Sequence, residues 1–260
     1  IKVEAPEIGD DSRKFGPFIK DYSAYFMSLN RGKESIALNL KNNEEDKKIF
    51  DKILSKADIL VENFKPGTLE KWGYGWKDIN KKYPKLIYAS ASGFGQTGPL
   101  KELPAYDMVV QGMGGLMSVT GQPNSEPTRV GTSIGDITAG LFTAIGINAA
   151  LYDRQKTGKG MYIDVSMLDC QIAILENAIA RYLAKNEIPK PMGSRHPSIA
   201  LFEAFKTSDS YIIIAAGNDK LFEKLCNVLK ISEVNQNPKF SNNSSRAKNM
   251  DELKKILEDK

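Results

Sequence analysis

Apolar positions along the first part of the chain alternate between short continuous runs and helical repeats. Strands are predicted at residues 35–40, 58–61 and 86–90, where apolar and β-branched residues follow one another. Helices are predicted between them, at 44–56 and 69–82, where apolar residues recur one turn apart. Continuous apolar strands separated by helices are typical of a parallel sheet covered by helices. The pattern therefore predicts an α/β fold.

The same pattern continues to residue 185 and then changes. Helices are predicted at 107–117, 136–154 and 166–185, with a strand at 161–165. Residues 186–198 contain three prolines and one glycine and indicate a linker. Beyond it, the pattern predicts a hairpin of strands at 202–207 and 211–216, followed by helices at 219–229 and 250–257.

These elements predict two domains. The first is a large α/β domain at residues 1–185, and the second is a small α+β domain at residues 201–260. Residues 186–200 form the linker between them. The chain opens abruptly on what looks like a strand end, so its N-terminus is expected to be incomplete.

Composition narrows the class of protein. The 260 residues are 41% hydrophobic and 26% charged, with a net charge of +4, which is typical of a globular protein. Lysines are spread along the chain, which argues against nucleic acid as a partner. Neither cysteine is part of a CxxC pair, and the single histidine does not complete a zinc site. The longest apolar run, residues 139–152, is too short to cross a membrane, so a cytoplasmic protein without metal is expected.

A glycine-rich segment at residues 93–98 matches the pattern GxGxxG directly after a predicted strand. In a dinucleotide-binding fold, a helix opens on the last glycines and holds the pyrophosphate at its N-terminus. Here Pro99 and Pro104 follow instead. A flexible loop that lines a site is therefore favoured over a nicotinamide-binding turn.

Asp136 stands immediately before a predicted helix, and two interpretations apply to it. An aspartate that caps the helix is the common case and is favoured by spacing alone. A carboxylate held ionised at a helix N-terminus can also attack an activated acyl group. The other candidates, Asp164, Asp169, Glu176 and His196, have solvated or structural roles as their default interpretation.

Eight short motifs in a fixed order favour the second interpretation of Asp136. They are Asn30-Arg31-Gly32-Lys33-Glu34-Ser35-Ile36, Val61-Glu62-Asn63-Phe64-Lys65-Pro66-Gly67, Ala105-Tyr106-Asp107, Ile134-Gly135-Asp136, Thr157-Gly158-Lys159-Gly160, Asp164-Val165-Ser166-Met167, Gly193-Ser194-Arg195-His196-Pro197 and Gly217-Asn218-Asp219. Together they resemble the class III CoA-transferase (CaiB/BaiF) family, which includes formyl-CoA and carnitine CoA-transferases and α-methylacyl-CoA racemases. The resemblance runs nearly from end to end.

The resemblance implies a fold and an activity. The fold is a doubly wound, mostly parallel, Rossmann-like sheet in a large domain, with a small domain and an interlaced homodimer. The activity is transfer of coenzyme A from an acyl-CoA donor to a carboxylic acid acceptor, through a covalent aspartyl-CoA thioester on Asp136. Neither metal nor NAD takes part in it.

The resemblance also implies a binding site for coenzyme A at the carboxyl ends of the strands. Leu38 and Lys41 would lie near the adenosine, and Asn63 and Phe64 beside the nucleotide. Lys71 occupies a position often held by arginine and would meet a phosphate. Tyr106 would face the thioester.

Departures from the family pattern leave two alternatives open. Ala5 stands where relatives often carry a basic residue that binds the nucleotide, and segments that relatives have before residue 1 and after residue 260 are expected to be missing. A racemase-like enzyme is one alternative, although racemases carry histidine where this chain has Tyr106. A truncated relative that only binds CoA or dimerises is the other.

Overall fold

The computed structural model describes all of residues 1–260. Its strands are β1 (Lys2–Glu4), β2 (Phe18–Ile19), β3 (Tyr22–Ser23), β4 (Ser35–Ala37), β5 (Ile59–Glu62), β6 (Ile87–Ser92), β7 (Tyr162–Ser166), β8 (Phe202–Lys206) and β9 (Tyr211–Ala215). Its α-helices are α1 (Ala24–Asn30), α2 (Glu44–Leu54), α3 (Thr68–Lys71), α4 (Trp76–Lys82), α5 (Asp107–Met113), α6 (Leu116–Val119), α7 (Ile134–Thr157), α8 (Met167–Ile174), α9 (Asn177–Lys185), α10 (Asp219–Val228), α11 (Ser232–Gln236), α12 (Asn243–Lys248) and α13 (Met250–Glu258). Two 3-10 turns lie at Asp11–Lys14 and Pro238–Phe240.

By its internal contacts the chain divides into two compact units, each described by itself. The first contains residues 1–107 and 135–170. It holds a three-stranded parallel sheet in the order β5-β6-β7 and a parallel pair of β1 with β4. The predicted α/β class with parallel strands is therefore confirmed.

Helices of the first unit pack on both faces of its sheet. Helix α2 begins where the Asn43 side chain accepts the backbone N–H groups of Glu45 and Asp46, and it buries Phe50 and Leu54. These two side chains join Leu38, Tyr74 and Tyr88 in one hydrophobic core. The hydrophobic cluster on the opposite face of the sheet is smaller. There Ala139 of α7 packs against Val165 and Cys170.

Close packing between α7 and β7 depends on glycine. A Cβ atom on Gly146 would stand 3.0 Å from Ile163, so the helix can lie directly on the strand. At the end of the same connection, a Cβ atom on Gly160 would stand 2.0 Å from the carbonyl oxygen of Leu86. Glycine at these positions lets the crossover between α7 and β7 fit against the sheet.

Helix α7 is longer than the apolar run that predicted it. Its 24 residues are long and apolar enough, by length and composition, to cross a membrane, so the sequence argument from the length of that run is wrong. A core helix of a soluble protein passes the same test. Packing on β7 buries only part of α7, since 28% of its most apolar stretch is buried and Leu141 and Ile145 are exposed.

The second unit contains residues 108–134 and 171–260. Strands β8 and β9 form the predicted antiparallel hairpin. Helices α10, α11 and α13 share its core with strand β8 and the second 3-10 turn, and Phe205, Phe222, Phe240 and Leu253 are almost fully buried there. Arg246 is buried in this unit as well, where it donates to the carbonyl oxygen of Phe240 and to the carboxylate of Asp219.

Three predicted helices are each broken in two by the backbone. Gly73, with φ of +89°, separates α3 from α4 within residues 69–82. Gly115, with φ of +85°, separates α5 from α6, and Glu176, with φ of +39°, separates α8 from α9. The left-handed region is incompatible with a continuing right-handed helix, so these predictions of single helices are wrong.

The division into units differs from the predicted domains. Residues 171–185 and 108–134 fall with the hairpin, although the sequence assigned them to the large domain. No regular element lies within residues 186–198, as expected of a linker. The domain boundaries at 185 and 200 stay a prediction.

Candidate active site

The carboxyl ends of three parallel strands lie at one edge of the first unit's sheet. Strand β5 ends at Glu62, β6 at Ser92 and β7 at Ser166, and Ser92 and Ser166 are paired in register. Because the strands are parallel, the segments that follow them emerge on the same side. Those segments are Asn63-Phe64 after β5 and residues 93–98, the glycine loop, after β6.

The glycine loop is fastened to the end of β7. The backbone N–H of Gln96 donates to both carboxylate oxygens of Asp164, at 3.0 Å each. The carbonyl oxygen of Gly93 accepts the backbone N–H of Leu168 at 3.1 Å. No helix opens on the loop, since the next element begins at Asp107. The prediction that the GxGxxG match is a loop rather than a dinucleotide-binding turn is therefore confirmed.

Gly93 also brings the loop against the segment that precedes α5. A Cβ atom on Gly93 would stand 2.5 Å from the Cβ atom of Ala105, well inside the contact distance of real side chains. Only glycine permits this approach. The next two residues point in different directions, because Tyr106 is 82% exposed whereas Asp107 is 8% exposed.

Asp107 connects this segment to the start of α7. Its carboxylate oxygen Oδ1 accepts the backbone N–H of Gly135 at 2.7 Å. Helix α7 begins at Ile134, so Asp136 is its third residue and not the residue before it. The structure thus corrects the sequence interpretation of Asp136 as an N-cap, because the capping carboxylate on Gly135 comes from Asp107.

The Asp136 side chain is exposed to solvent, and its surroundings change its pKa in both directions. Partial desolvation raises the pKa of Asp136, and the nearby negative charge of Asp107 raises it further. The dipole of the helix N-terminus acts in the other direction. A carboxylate whose pKa is raised is a more basic group than an ordinary surface aspartate.

The residues predicted to bind CoA differ in how far they can reach a ligand. Leu38 is 5% exposed and belongs to the hydrophobic core, so only its backbone could touch a nucleotide. Lys41, Asn63, Phe64 and Lys71 are exposed. The Phe64 ring meets Trp72 edge to face at 5.4 Å, which holds one side of that ring against α3.

Two carboxylates accept long-range hydrogen bonds that the sequence did not show. Asp107 and Asp164 each accept a backbone N–H from a segment distant in sequence. Burial raises the pKa of Glu62, with a contribution from the charge of Asp164. These residues are not separated by a motif spacing or a helical repeat that would predict their contacts. Their closeness to strand ends and to glycine was the available signal.

His196 lies in the second unit, where its ring is used locally. Its Nδ1 accepts the backbone N–H groups of Ser198 and Ile199, at 3.1 and 3.0 Å. The ring packs edge to face on Phe202. These contacts fit the structural interpretation of this residue.

Comparison with known proteins identifies the chain. Its sequence matches the family model for CoA-transferase family III over residues 1–260. The chain belongs to CoA-transferase family III. Among curated relatives of this family, it is 49% identical over 259 residues to the acetyl-CoA:oxalate CoA-transferase of Acetobacter aceti, covering 99% of this chain and 66% of that protein. It is 41% identical over 261 residues to the succinyl-CoA:glutarate CoA-transferase of Homo sapiens, covering 100% and 59%.

A solved structure of this family has the same fold. The CaiB/BaiF family protein from Brucella suis superposes with a TM-score of 0.85 at 42% identity, covering 99% of this chain and 69% of that one. The family III chain described here spans about three fifths to two thirds of the length of the curated relatives it matches.

Proposed function

We propose that this family III chain belongs to an enzyme that transfers coenzyme A from an acyl-CoA donor to a carboxylic acid acceptor, with Asp136 as the covalent nucleophile. One observation carries the assignment of Asp136. Of the two carboxylates at the start of α7, Asp107 is buried and bonded to Gly135, whereas Asp136 is exposed. Asp136 is therefore the one that an acyl-CoA can reach.

The proposed reaction exchanges acyl bonds without any change of oxidation state. A carboxylate oxygen of Asp136 attacks the thioester carbonyl, the carbon–sulfur bond breaks, and a mixed anhydride and CoA thiolate result. The thiolate attacks the side-chain carbonyl of Asp136 and releases the donor acid, which leaves an aspartyl-CoA thioester. The acceptor carboxylate attacks this thioester, its carbon–sulfur bond breaks, and a second anhydride and free CoA thiolate result. The thiolate then takes the acceptor acyl group and regenerates Asp136.

Protein groups near Asp136 suit this sequence. Each attack forms a tetrahedral oxyanion, which hydrogen-bond donors near Asp136 can stabilise by about 3 kcal/mol each. Hydrolysis of the anhydride must be prevented by excluding water. The glycine loop lies against Ala105, next to Tyr106 and Asp107, and is the proposed cover.

The proposed binding site for CoA uses the sheet edge. Asn63 and Phe64 follow β5 there and are exposed, and Lys41 and Lys71 offer ammonium groups for phosphates. Leu38 would contribute its backbone next to the adenosine, since its side chain belongs to the core. Exposed Tyr106 would face the thioester.

The proposed acceptor is a small dicarboxylic acid. The names of the relatives refer to oxalate and glutarate as partners of acyl-CoA donors. A racemase-like enzyme would need a histidine at position 106 as one of its two proton-transfer groups. This chain has Tyr106 there, so the transferase is favoured.

The proposed assembly is an interlaced homodimer in the cytoplasm, with the parallel strands belonging to a doubly wound, Rossmann-like sheet. An apolar stripe on α7 supports dimerisation, because Ile137, Leu141 and Ile145 are 47%, 59% and 63% exposed at successive turns. A second copy would cover this stripe. Sedimentation of the protein should give a dimer, and a monomer at micromolar concentration would contradict the proposal.

Trapping the intermediate tests the reaction directly. The protein is incubated with a panel of acyl-CoA esters, quenched with hydroxylamine and digested with trypsin, which releases residues 130–154. A hydroxamate on Asp136 is expected with the true donor. Asp153, near the other end of α7 on the same peptide, is the internal control. An unmodified peptide across a broad panel, with CoA still bound, would contradict the nucleophile assignment.

A further inference from the structure

The start of α7 is held by a residue outside the helix. The first N–H groups of any α-helix have no acceptor within it. In α7 the N–H of Ile134 donates to the carbonyl oxygen of Thr132 at 2.8 Å, and the N–H of Gly135 donates to Asp107 at 2.7 Å. The Thr132 contact lies two residues away along the chain, so it fixes little. The Asp107 contact spans 28 residues and ties the helix to a different segment.

Asp107 itself is well fixed. It is 8% exposed and stands as the first residue of α5. Ala105, two residues before Asp107, lies against Gly93, and Gly93 directly follows β6. A line of contacts thus runs from the sheet through Gly93, Ala105 and Asp107 to Gly135, the residue before Asp136.

Two carboxylates placed this close carry an electrostatic cost that a purely structural cap would not need. An asparagine or serine would accept the same N–H without a second negative charge. Asp107 is the charged group that acts on the Asp136 carboxyl, and its charge makes that carboxylate more basic. A more basic carboxylate is a stronger nucleophile once ionised.

We infer that Asp107 is a positioning residue for the proposed reaction: its buried carboxylate holds the N–H of Gly135 and so fixes the place from which Asp136 attacks. This inference rests on the proposed function of Asp136. It assigns Asp107 no bond to substrate, because its side chain is buried.

Two variants separate the hydrogen bond from the charge. Asp107→Asn keeps an oxygen that can accept the N–H of Gly135 and removes the charge. Its acyl transfer at neutral pH should stay within about 10-fold of the unchanged protein, and the acid limb of kcat/KM should move to lower pH, because the pKa of Asp136 falls. Asp107→Ala removes the acceptor. Its kcat should fall roughly 100-fold, because misplacement of a reacting group by about 1 Å has this effect, whereas KM for acyl-CoA should change little.

The results distinguish this inference from the proposed function. The unchanged protein must first yield the hydroxamate on Asp136, and failure there contradicts the proposed function. If Asp136 is labelled and Asp107→Ala keeps the normal kcat, the positioning role alone is overturned. A kcat of Asp107→Asn that falls roughly 100-fold, although its oxygen can still accept the N–H of Gly135, also overturns it, and this holds even if Asp107→Ala does not fold. A hydroxamate on Asp107, in the tryptic peptide of residues 102–129, would overturn both.

Discussion

The carboxylate of Asp164 accepts the backbone N–H of Gln96 through both of its oxygens, at 3.0 Å each. These two residues are 68 positions apart in sequence, and their contact is what fastens the glycine loop to the end of β7. Ser92 Oγ and Gln96 Nε2 are buried and have no hydrogen-bond partner among the protein's own atoms. The contact with Asp164 and the bond between Gly93 and Leu168 therefore fasten the loop.

Removing that carboxylate should loosen the loop. Asp164→Ala removes a charge-assisted acceptor worth about 1.5 kcal/mol or more, which raises the open fraction roughly 10-fold. Trypsin cleavage after Lys101, just beyond the loop, should become faster by a similar factor. Asp169→Ala, an exposed carboxylate three residues after Ser166, is the control and should leave the rate unchanged. Equal rates in all three proteins would show that Asp164 does not hold the loop.

The close approach of Gly93 to Ala105 predicts a functional defect without unfolding. In Gly93→Ala the new methyl group would stand 2.5 Å from the Ala105 Cβ, so residues 105–107 must shift. Formation of the Asp136 adduct should fall roughly 10- to 100-fold, because Asp107 moves with them. Gly131→Ala is the matched control, since a Cβ there meets nothing within 4 Å. Single-turnover acylation rates and a thermal melt of both variants give the comparison, and equal acylation rates would contradict this prediction.

Sequence periodicity located most elements but not their interruptions. Strands β5, β6 and β7 follow from continuous apolar runs, and α2 and α7 follow from helical spacing, because burial imposes these periods locally. The breaks at Gly73, Gly115 and Glu176 depend on backbone angles that the apolar pattern does not record. Elsewhere on the chain each of these residue types also occurs inside a helix, so composition alone could not show the breaks.

The candidate site was predicted in part. Asp136 was singled out by its position before a helix and by the family resemblance. The roles of Asp107 and Asp164 are contacts across 28 and 68 residues, and their acceptors are backbone N–H groups that every residue carries. Such partners leave no trace in side-chain pattern, so only the folded chain reveals them.

Glu4 predicts a dependence of stability on pH. Its buried carboxylate accepts hydrogen bonds from Arg13, at 2.8 and 2.7 Å, and from Ser35 and the Asp10 N–H. The hydrogen bonds from Arg13 are the main reason that the pKa of Glu4 is lowered from 4.5 to about 2. A lowered pKa gives stability that is present above 4.5 and lost as pH falls toward 2.

Glu4→Gln should therefore unfold more easily at neutral pH, by up to about 3 kcal/mol. The difference from the unchanged protein should shrink as pH falls from 4.5 toward 2. Urea unfolding at several pH values measures it. Glu45→Gln, whose side chain is 76% exposed beside Lys48, should change the free energy of unfolding little at any pH. A difference that stays constant with pH would contradict the assignment to Glu4.

Arg246 predicts where the second unit is most sensitive. Its side chain is 1% exposed, donates to Phe240 and Asp219, and lies 4.7 Å from the centre of the Phe222 ring. Arg246→Met keeps much of the volume but leaves the Phe240 carbonyl without this donor, and it should cost about 3 kcal/mol. Lys248→Met, exposed on the same helix, is the control. Matching unfolding midpoints for the two variants would show that the buried guanidinium is dispensable.

Asp136→Asn tests the nucleophile with little change in shape. The amide has the size of the carboxylate but cannot form the anhydride, so acyl transfer should fall roughly 10⁴-fold or more. Binding of CoA should persist, because the residues proposed to bind it follow β4 and β5. Asp153→Asn removes a carboxylate near the other end of α7 and should transfer at the normal rate. Transfer and CoA affinity are measured for both variants by a thioester exchange assay and by calorimetry.

Each outcome of the Asp136→Asn experiment has a different meaning. Loss of both transfer and CoA binding in Asp136→Asn, with an unchanged thermal melt, would mean that Asp136 contributes to binding rather than to covalent chemistry. Retained transfer would exclude a covalent aspartyl intermediate at this position. Asp107 is buried whereas Asp136 is exposed, so Asp107 could not replace Asp136 as the nucleophile. Retained transfer in Asp136→Asn could therefore not be explained by attack from Asp107.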